Sequence, residues 1–206
     1  MAAYLSSYRP LCRNLAGRAA IKTYCIPPFV DASCRREPDF QSAHPSISAL
    51  CHGEQFAPRL RENDHIVYVT HKLGNHWNLV AVIRVMKLFE SHIDAARWYR
   101  EQGLSLPSNC MVEGNPPLPL DQTDRHRKAL KAWDRLYAGR ARRCGVFLAC
   151  EPIFLELHNP PVITREQMFK IFGRIPRPRT PPKISEQEYD ALLNATRKER
   201  LTPHVG

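Results

Sequence analysis

The sequence predicts an α+β protein built on a small, strongly curved sheet or partly closed β-barrel, decorated by helices. Three observations carry that prediction. Strand-like runs are few and are mostly not set in strand–helix–strand alternation. Two of them flank the short turn Lys72–Asn75, as the arms of a hairpin do. Runs with helical spacing fall between the strands, and no GxGxxG or GxxxxGK[ST] loop follows any of them, which disfavours a dinucleotide-binding or P-loop unit.

The elements follow in order. Ala20–Ile26 (AIKTYCI) alternates and is rich in β-formers, so it reads as the first strand, ended by Pro27 and Pro28. Residues 29–43 have no periodicity and read as a long polar loop. Pro45–His52 reads as a short helix with Pro45 in its first turn. Asn63-Asp64 is a turn signal leading into the strand His65–Thr70, and Trp77–Phe89 follows as a long strand or a bent pair. Ser91, with Asp94 three residues on, is an N-cap for a short helix with Ile93, Ala96, Trp98 and Tyr99 on its apolar face, closed by Gly103. Residues 104–122 form a proline-rich loop.

The clearest helix covers 124–138. Ala129, Leu130, Trp133, Leu136 and Tyr137 fall on one stripe that should dock on the sheet, and Gly139 should end it. Cys144–Ala149 and Pro152–Leu157 are two short strands, or one strand with an edge bulge at Pro152. Thr164 and Gln167 form a capping box for a helix over 165–172, stopped by Gly173. Residues 174–183 (RIPRPRTPPK) are a basic, extended linker, and Ser185 with Glu188 caps a last polar helix. The resulting organisation is an extension over 1–19, a domain over 20–173, and a basic linker with a short C-terminal helix over 174–206.

Composition narrows the class. Of 206 residues, 43% are hydrophobic and 24% charged, as in globular domains. No apolar run reaches the about 18–20 residues that span a bilayer. The formal net charge of +10 is concentrated. Residues 1–30 carry four bases and no acid, 121–143 carry eight bases against three acids, and 165–183 carry six against one. Clustered cations attract a polyanion by releasing its counterions, although the same clusters also serve as a solvated surface. Seven scattered cysteines with no CxxC pair read as buried thiols in a reducing, cytoplasmic setting. The acid-free stretch Met1–Val30 shares its composition with transit peptides, but reads more simply as an extension. Cys34, Cys51, His52 and Cys110 lack metal-ligand spacing, so no metal and no cofactor are expected.

Asn63–Thr70 followed by Leu79–Val85 resembles the middle hairpin of PUA-like proteins, the group that includes the ASCH, EVE and YTH domains. Asn63 stands where that pattern has glycine, and asparagine also visits positive φ. The order of motifs over about residues 20–160 is similar to the nucleotide-modification-associated domains of DNA-modification systems. It comprises an Asp-bearing loop with proline (Asp31, Pro38), Leu50-Cys51, the hairpin, a Tyr/Trp helix, an Asn-bearing loop (Asn109 or Asn115) and a late strand with Phe147 and Phe154. The resemblance implies a barrel that binds nucleic acid or a nucleotide, with a flipped or modified base in a polar pocket. On the matching positions the pocket residues would be Asp31, Ser33, Arg35 and Asn109, with Tyr68 and Trp77 stacking on a base.

The residues themselves leave each reading open. Asp31 can accept from base donors while Arg35 and Arg36 bind phosphate, or the run 31–36 can satisfy its own turn. Tyr68 and Trp77 can equally be core partners across the hairpin, and Trp98, Trp133 and Tyr137 read as core. Arg127, Lys128, Arg140, Arg142 and Arg143 are the candidate phosphate contacts. One rival is an enzyme of the same fold acting through Asp31 or through Cys34, the latter with His44 or His52 as base. The other is a protein-interaction module using 174–206. A concave polar pocket at 31–36 favours a ligand, and a filled loop favours the module.

Overall fold

A computed structural model of the chain describes residues 1–13, 15–50, 54–118, 124–176 and 181–198. Seven strands form one mixed sheet: β1 Ala3–Tyr8, β2 Ser46–Ser48, β3 His65–Thr70, β4 His76–Phe89, β5 Phe147–Leu155, β6 Val162–Thr164 and β7 Lys183–Ile184. Five helices accompany them: α1 Leu15–Tyr24, α2 His92–Glu101, α3 Asp124–Arg143, α4 Arg165–Phe172 and α5 Glu186–Lys198. The strand order is β2-β5-β4-β3-β1-β7, with β6 paired to β4. Among the described strands only β1 and β3 pair in parallel. The architecture is α+β as expected, but the described strands form an open sheet and do not close into a barrel.

The hairpin organises the rest. Asn63 adopts φ +68°, the left-handed conformation its place in the turn requires. The Asp64 carboxylate then accepts from Ala2 N at 2.8 Å and Arg61 N at 3.0 Å, fixing the start of β3 against β1. Alternation along β3 and β4 sends side chains to both faces, and both faces are buried. Ile66, Tyr68, Ile83 and Val85 pack with Tyr4, Tyr8, Phe40, Ile47 and Phe56. Val67, Val69, Leu79 and Val82 pack on the other side with Met168 of α4 and Tyr189 and Leu192 of α5. Pro152 lies in the part of β5 whose outer edge is unpaired, where the missing N–H costs no ladder bond. Of the two readings of this stretch, the single strand with a register shift beside Pro152 is the one realised.

Several expectations are corrected. The first strand is Ala3–Tyr8, inside the stretch assigned to the extension, and all six of its residues are buried. Residues 20–24 are helical, as the end of α1, which lies largely exposed; the alternation of AIKTYCI reflects no buried face. Residues 46–48 form a strand on β5 instead of a helix, because the Ser46 and Ser48 hydroxyls find buried partners there. The segment read as a C-terminal appendage is also integral. β7 pairs with β1, and Leu5 N donates to Pro182 O at 3.0 Å. Residues 177–180 of the basic linker lie outside the described part. α3 runs past Gly139 to Arg143, and its expected stripe does not dock: Trp133 is 52% exposed and Leu136 55%. The helix is held by Tyr137, which packs with Cys34 and Leu50, and by the ion pairs of Asp134 with Arg35 and of Arg140 and Arg143 with Glu54. No described helix is long and apolar enough to cross a membrane.

Candidate functional site

The run Asp31–Arg36 is filled, the outcome that favours an interaction module over a ligand pocket within this loop. Asp31 Oδ1 accepts from Ser33 N at 2.9 Å, from Glu37 N at 3.2 Å and from the Ser33 hydroxyl, so this oxygen is taken up by the loop itself. The Arg36 guanidinium donates to the Asp31 carbonyl. Arg35 turns the other way. Its Nε donates to Asp134 Oδ1 of α3 at 2.8 Å, and its Nη1 donates to the carbonyls of Ser108 and Asn115, both at 2.9 Å. One buried guanidinium thus joins the first loop, the 107–118 loop and α3.

A second set of bonds extends the network under the sheet edge. Glu37 accepts from Ser48 N and Ser48 Oγ, each at 2.7 Å. Asn109 accepts from Ser46 Oγ at 2.8 Å and donates to Ser46 O at 3.2 Å. Asp39 Oδ2 accepts from Ser108 N and Oγ, each at 2.7 Å. Burial raises the Asp31 and Glu37 carboxyls above the ordinary carboxylate range, against the hydrogen bonds from Ser33 and Ser48 that favour the charged forms. Burial also lowers the Arg36 guanidinium, which Asp31 and Asp39 partly restore.

On the outer side of Arg35 this scaffold opens into a cavity of about 590 Å³. Its walls are the first turn of α2, the 111–117 loop and the inner face of α3 with Asp134, Ala138 and Arg142. Gly145 completes the wall where the chain leaves α3. A Cβ there would meet Glu90 O at 2.7 Å, so the close approach to the start of α2 requires glycine. Met111, Val112, Pro116 and Pro117 supply apolar surface beside the arginines. This mixture and size suit a small ligand with a flat apolar part and a few polar groups.

His92 is the distinctive group in this wall. It is 4% exposed, and its ring stands edge-on to Phe147. Its Nδ1 accepts from Met111 N at 3.0 Å, which leaves the proton of the neutral ring on Nε2. Burial, with the Arg35 charge, pushes the imidazole down to about 4, so the neutral form holds at ordinary pH. Nε2 itself is buried without a hydrogen-bond partner. An unmet buried donor costs about 1–3 kcal/mol, which a ligand acceptor would recover.

The residues expected to act together separate into three groups. Arg35, Arg142 and Asn115 meet at the cavity, whereas Asp31, Ser33, Arg36 and Asn109 lie behind it in the network that shapes it. Tyr68 and Trp77 are core residues in opposite faces of the sheet, so neither offers an open ring to a base. Arg140 donates to Leu50 O at 3.1 Å, and Arg143 pairs with Glu54 at 2.5 Å, so part of the basic exit of α3 is occupied internally. Arg127 and Lys128 fall in the first turns of α3, and their side chains lie outside the described part. Cys34 is buried, and desolvation with the Asp134 charge raises its thiol to about 11, which removes the thiolate a nucleophile needs. His44 packs against Trp98 and Tyr99, and Cys51 and His52 lie outside the described residues. Sequence reasoning missed His92. Its place just after the Ser91 cap was visible, but only tertiary packing aligns its Nδ1 with Met111 N. No protein-family model, no curated protein and no solved structure matches the chain.

Proposed function

We propose that the protein binds a nucleotide unit, free or within a nucleic acid, with the unit in the cavity and the neighbouring strand along α3. One observation carries the reading: the most basic element of the chain is also a wall of the cavity. α3 holds eight bases against two acids, and Asp134, Ala138 and Arg142 on its inner side line the space. Lys131 and Arg135 on its outer side are exposed, beside the exposed ring of Trp133. Cations interleaved with an aromatic ring are the surface chemistry of single-stranded nucleic-acid binding. Trp133 takes the stacking role that the hairpin aromatics cannot, and the cavity beside Arg35 replaces the filled loop as the pocket. With the PUA-like resemblance of the hairpin sequence, the target we propose is a modified base in a DNA- or RNA-modification or defence setting.

The test is fluorescence anisotropy with short labelled DNA and RNA, plain and base-modified, at about 50 and 200 mM salt. Binding should weaken steeply with salt. The triple change Lys131→Gln, Arg135→Gln and Arg142→Gln should flatten that slope by up to about three counterions. Trp133→Ala should cost about 1–3 kcal/mol for single strands and little for duplex. Absence of binding at the lower salt would refute the proposal.

A further inference from the structure

We propose that the cavity is built for a terminal phosphate, the monoester of a nucleotide or of a nucleic-acid end, held by His92 Nε2–H, the first-turn amides of α2 and Arg142. This inference rests on the nucleotide reading above and specifies which part of the nucleotide is recognised.

Two independent observations converge on the same wall. The first is the start of α2, whose first turn lines the cavity through Ser91, His92 and Ile93. Ser91 Oγ satisfies Asp94 N at 3.1 Å, while the N–H groups of His92 and Ile93 have no carbonyl one turn back to bond. With the helix dipole they present partial positive charge. The second is the orphaned Nε2–H of His92, a buried donor whose ring is fixed by Met111 N on one side and Phe147 on the other. His92 lines the cavity and its Nε2–H is a buried donor with no protein partner, so a ligand oxygen that reached it would recover the missing hydrogen bond.

The number of donors distinguishes a phosphate, with several acceptor oxygens, from a single acceptor such as a base carbonyl. Arg35 is neutralised by Asp134 at 2.8 Å, so that pair positions the wall without adding net charge. Asp94 is held by the Ser91 hydroxyl at 2.6 Å and by Arg97 at 3.3 Å. Glu113 also lines the cavity from an exposed position and makes no ion pair among the described residues, so its carboxylate offsets one lining cation. Arg142 also lines the cavity and makes no ion pair among the described residues. A cation, a helix N-terminus and a neutral imidazole donor together match an oxyanion with several acceptor oxygens. A monoester carries a charge of about −1.5 to −2 at neutral pH and three such oxygens, more than an internal phosphodiester offers. The apolar residues Met111, Val112, Pro116 and Pro117 are left for the sugar and base.

The experiment uses the full chain. The His92 imidazole nitrogen resonances are followed by NMR during titration with inorganic phosphate, adenosine and adenosine 5′-monophosphate. Anisotropy then compares oligonucleotides of one sequence ending in 5′-phosphate, 3′-phosphate or hydroxyl. Phosphate and the monophosphate should shift Nε2, adenosine should bind at least tenfold more weakly than its monophosphate, and one phosphorylated end should bind at least tenfold tighter than the hydroxyl end. Arg142→Gln, at an exposed position, should erase most of that difference with the melting curve unchanged. His92→Phe should do the same if it folds, and the wild-type resonances decide the matter if it does not. Tighter binding of the free monophosphate than of any oligonucleotide end identifies a free nucleotide as the ligand; the reverse identifies a nucleic-acid end. Equal binding of phosphorylated and hydroxyl ends, with adenosine as tight as its monophosphate, overturns the phosphate site and leaves the nucleotide reading standing. A phosphate-induced shift with no binding of any nucleoside, nucleotide or oligonucleotide overturns the nucleotide reading and sustains the anion site.

Discussion

Two buried groups make opposite demands on pH. His92 is held neutral, with its imidazole at about 4 against an unfolded value near 6.5. As pH falls from about 6.5 to 4, the unfolded chain takes up a proton that the folded chain refuses, so this residue withdraws stability over that window. The full effect is about 3 kcal/mol. His92→Gln, which keeps an acceptor for Met111 N, should flatten that part of the stability–pH curve in urea titrations. Glu37 acts in the other sense. Burial raises its carboxyl, so above the unfolded value of about 4.3 the folded chain retains a proton that the unfolded chain has released, and stability declines as pH rises toward the folded value. Glu37→Gln should remove that decline and be near neutral at pH 5. Glu37→Ala should cost about 2–4 kcal/mol at any pH, because the Ser48 amide and hydroxyl lose their acceptor.

Elements whose ends are fixed by local chemistry were readable from the chain. Thr164 and Gln167 form the reciprocal box of α4, and Gly173 closes that helix at φ +65° with open space around its Cα. Ser91 caps α2, and Ser185 caps α5 through Glu188 at 3.3 Å. These signals span three or four residues and need no partner from elsewhere. Elements decided by distant partners were not readable. Ser6 and Ser7 make β1 look polar, yet the strand is covered on both faces. The Ser46–Ser48 stretch becomes a strand because Asn109 and Glu37, far along or across the loop, accept its hydroxyls. The cavity belongs to the same class, since it exists only where α2, α3 and two loops meet. Gly145 should therefore be the most sensitive position in its frame. Gly145→Ala drives a Cβ into the Glu90 carbonyl, and α2 or the α3–β5 connection must shift. The expected cost is about 1–3 kcal/mol, read from the urea midpoint. Gly103→Ala, at φ +68° in open space, should lose only about 1 kcal/mol and leave nucleotide binding unchanged.

At the scale of the molecule, the sheet is a layer with two cores, and this explains why boundaries drawn from charge and proline content do not coincide with its limits. The acid-free beginning of the chain and its basic, proline-rich later segment look like appendages because their surfaces are cationic. Their apolar residues nevertheless complete the second core. Ala3 and Leu5 from β1, Ile184 from β7, and Tyr189 and Leu192 from α5 pack together with Val67, Leu79 and Val82 of the hairpin. Each fully buried side chain of this kind contributes about 1.5–3 kcal/mol, and whole domains have only about 5–15 kcal/mol of net stability. Removing residues 174–206 withdraws three of these side chains and leaves β1 as an unprotected edge, open to pairing with another chain. Removing 1–19 takes out a strand that lies between β3 and β7, and leaves the Asp64 carboxylate without its bond from Ala2. The fragment 20–173 should therefore give no cooperative thermal transition and should aggregate, and the single deletion of 174–206 should lower the melting temperature by at least about 10 °C, at about 2–4 °C per kcal/mol. Circular dichroism melts of the two truncations against the full chain measure this directly. A cooperative melt of 20–173 near the full-length temperature would mean that the strands at both ends are accessory to the fold and not part of its core.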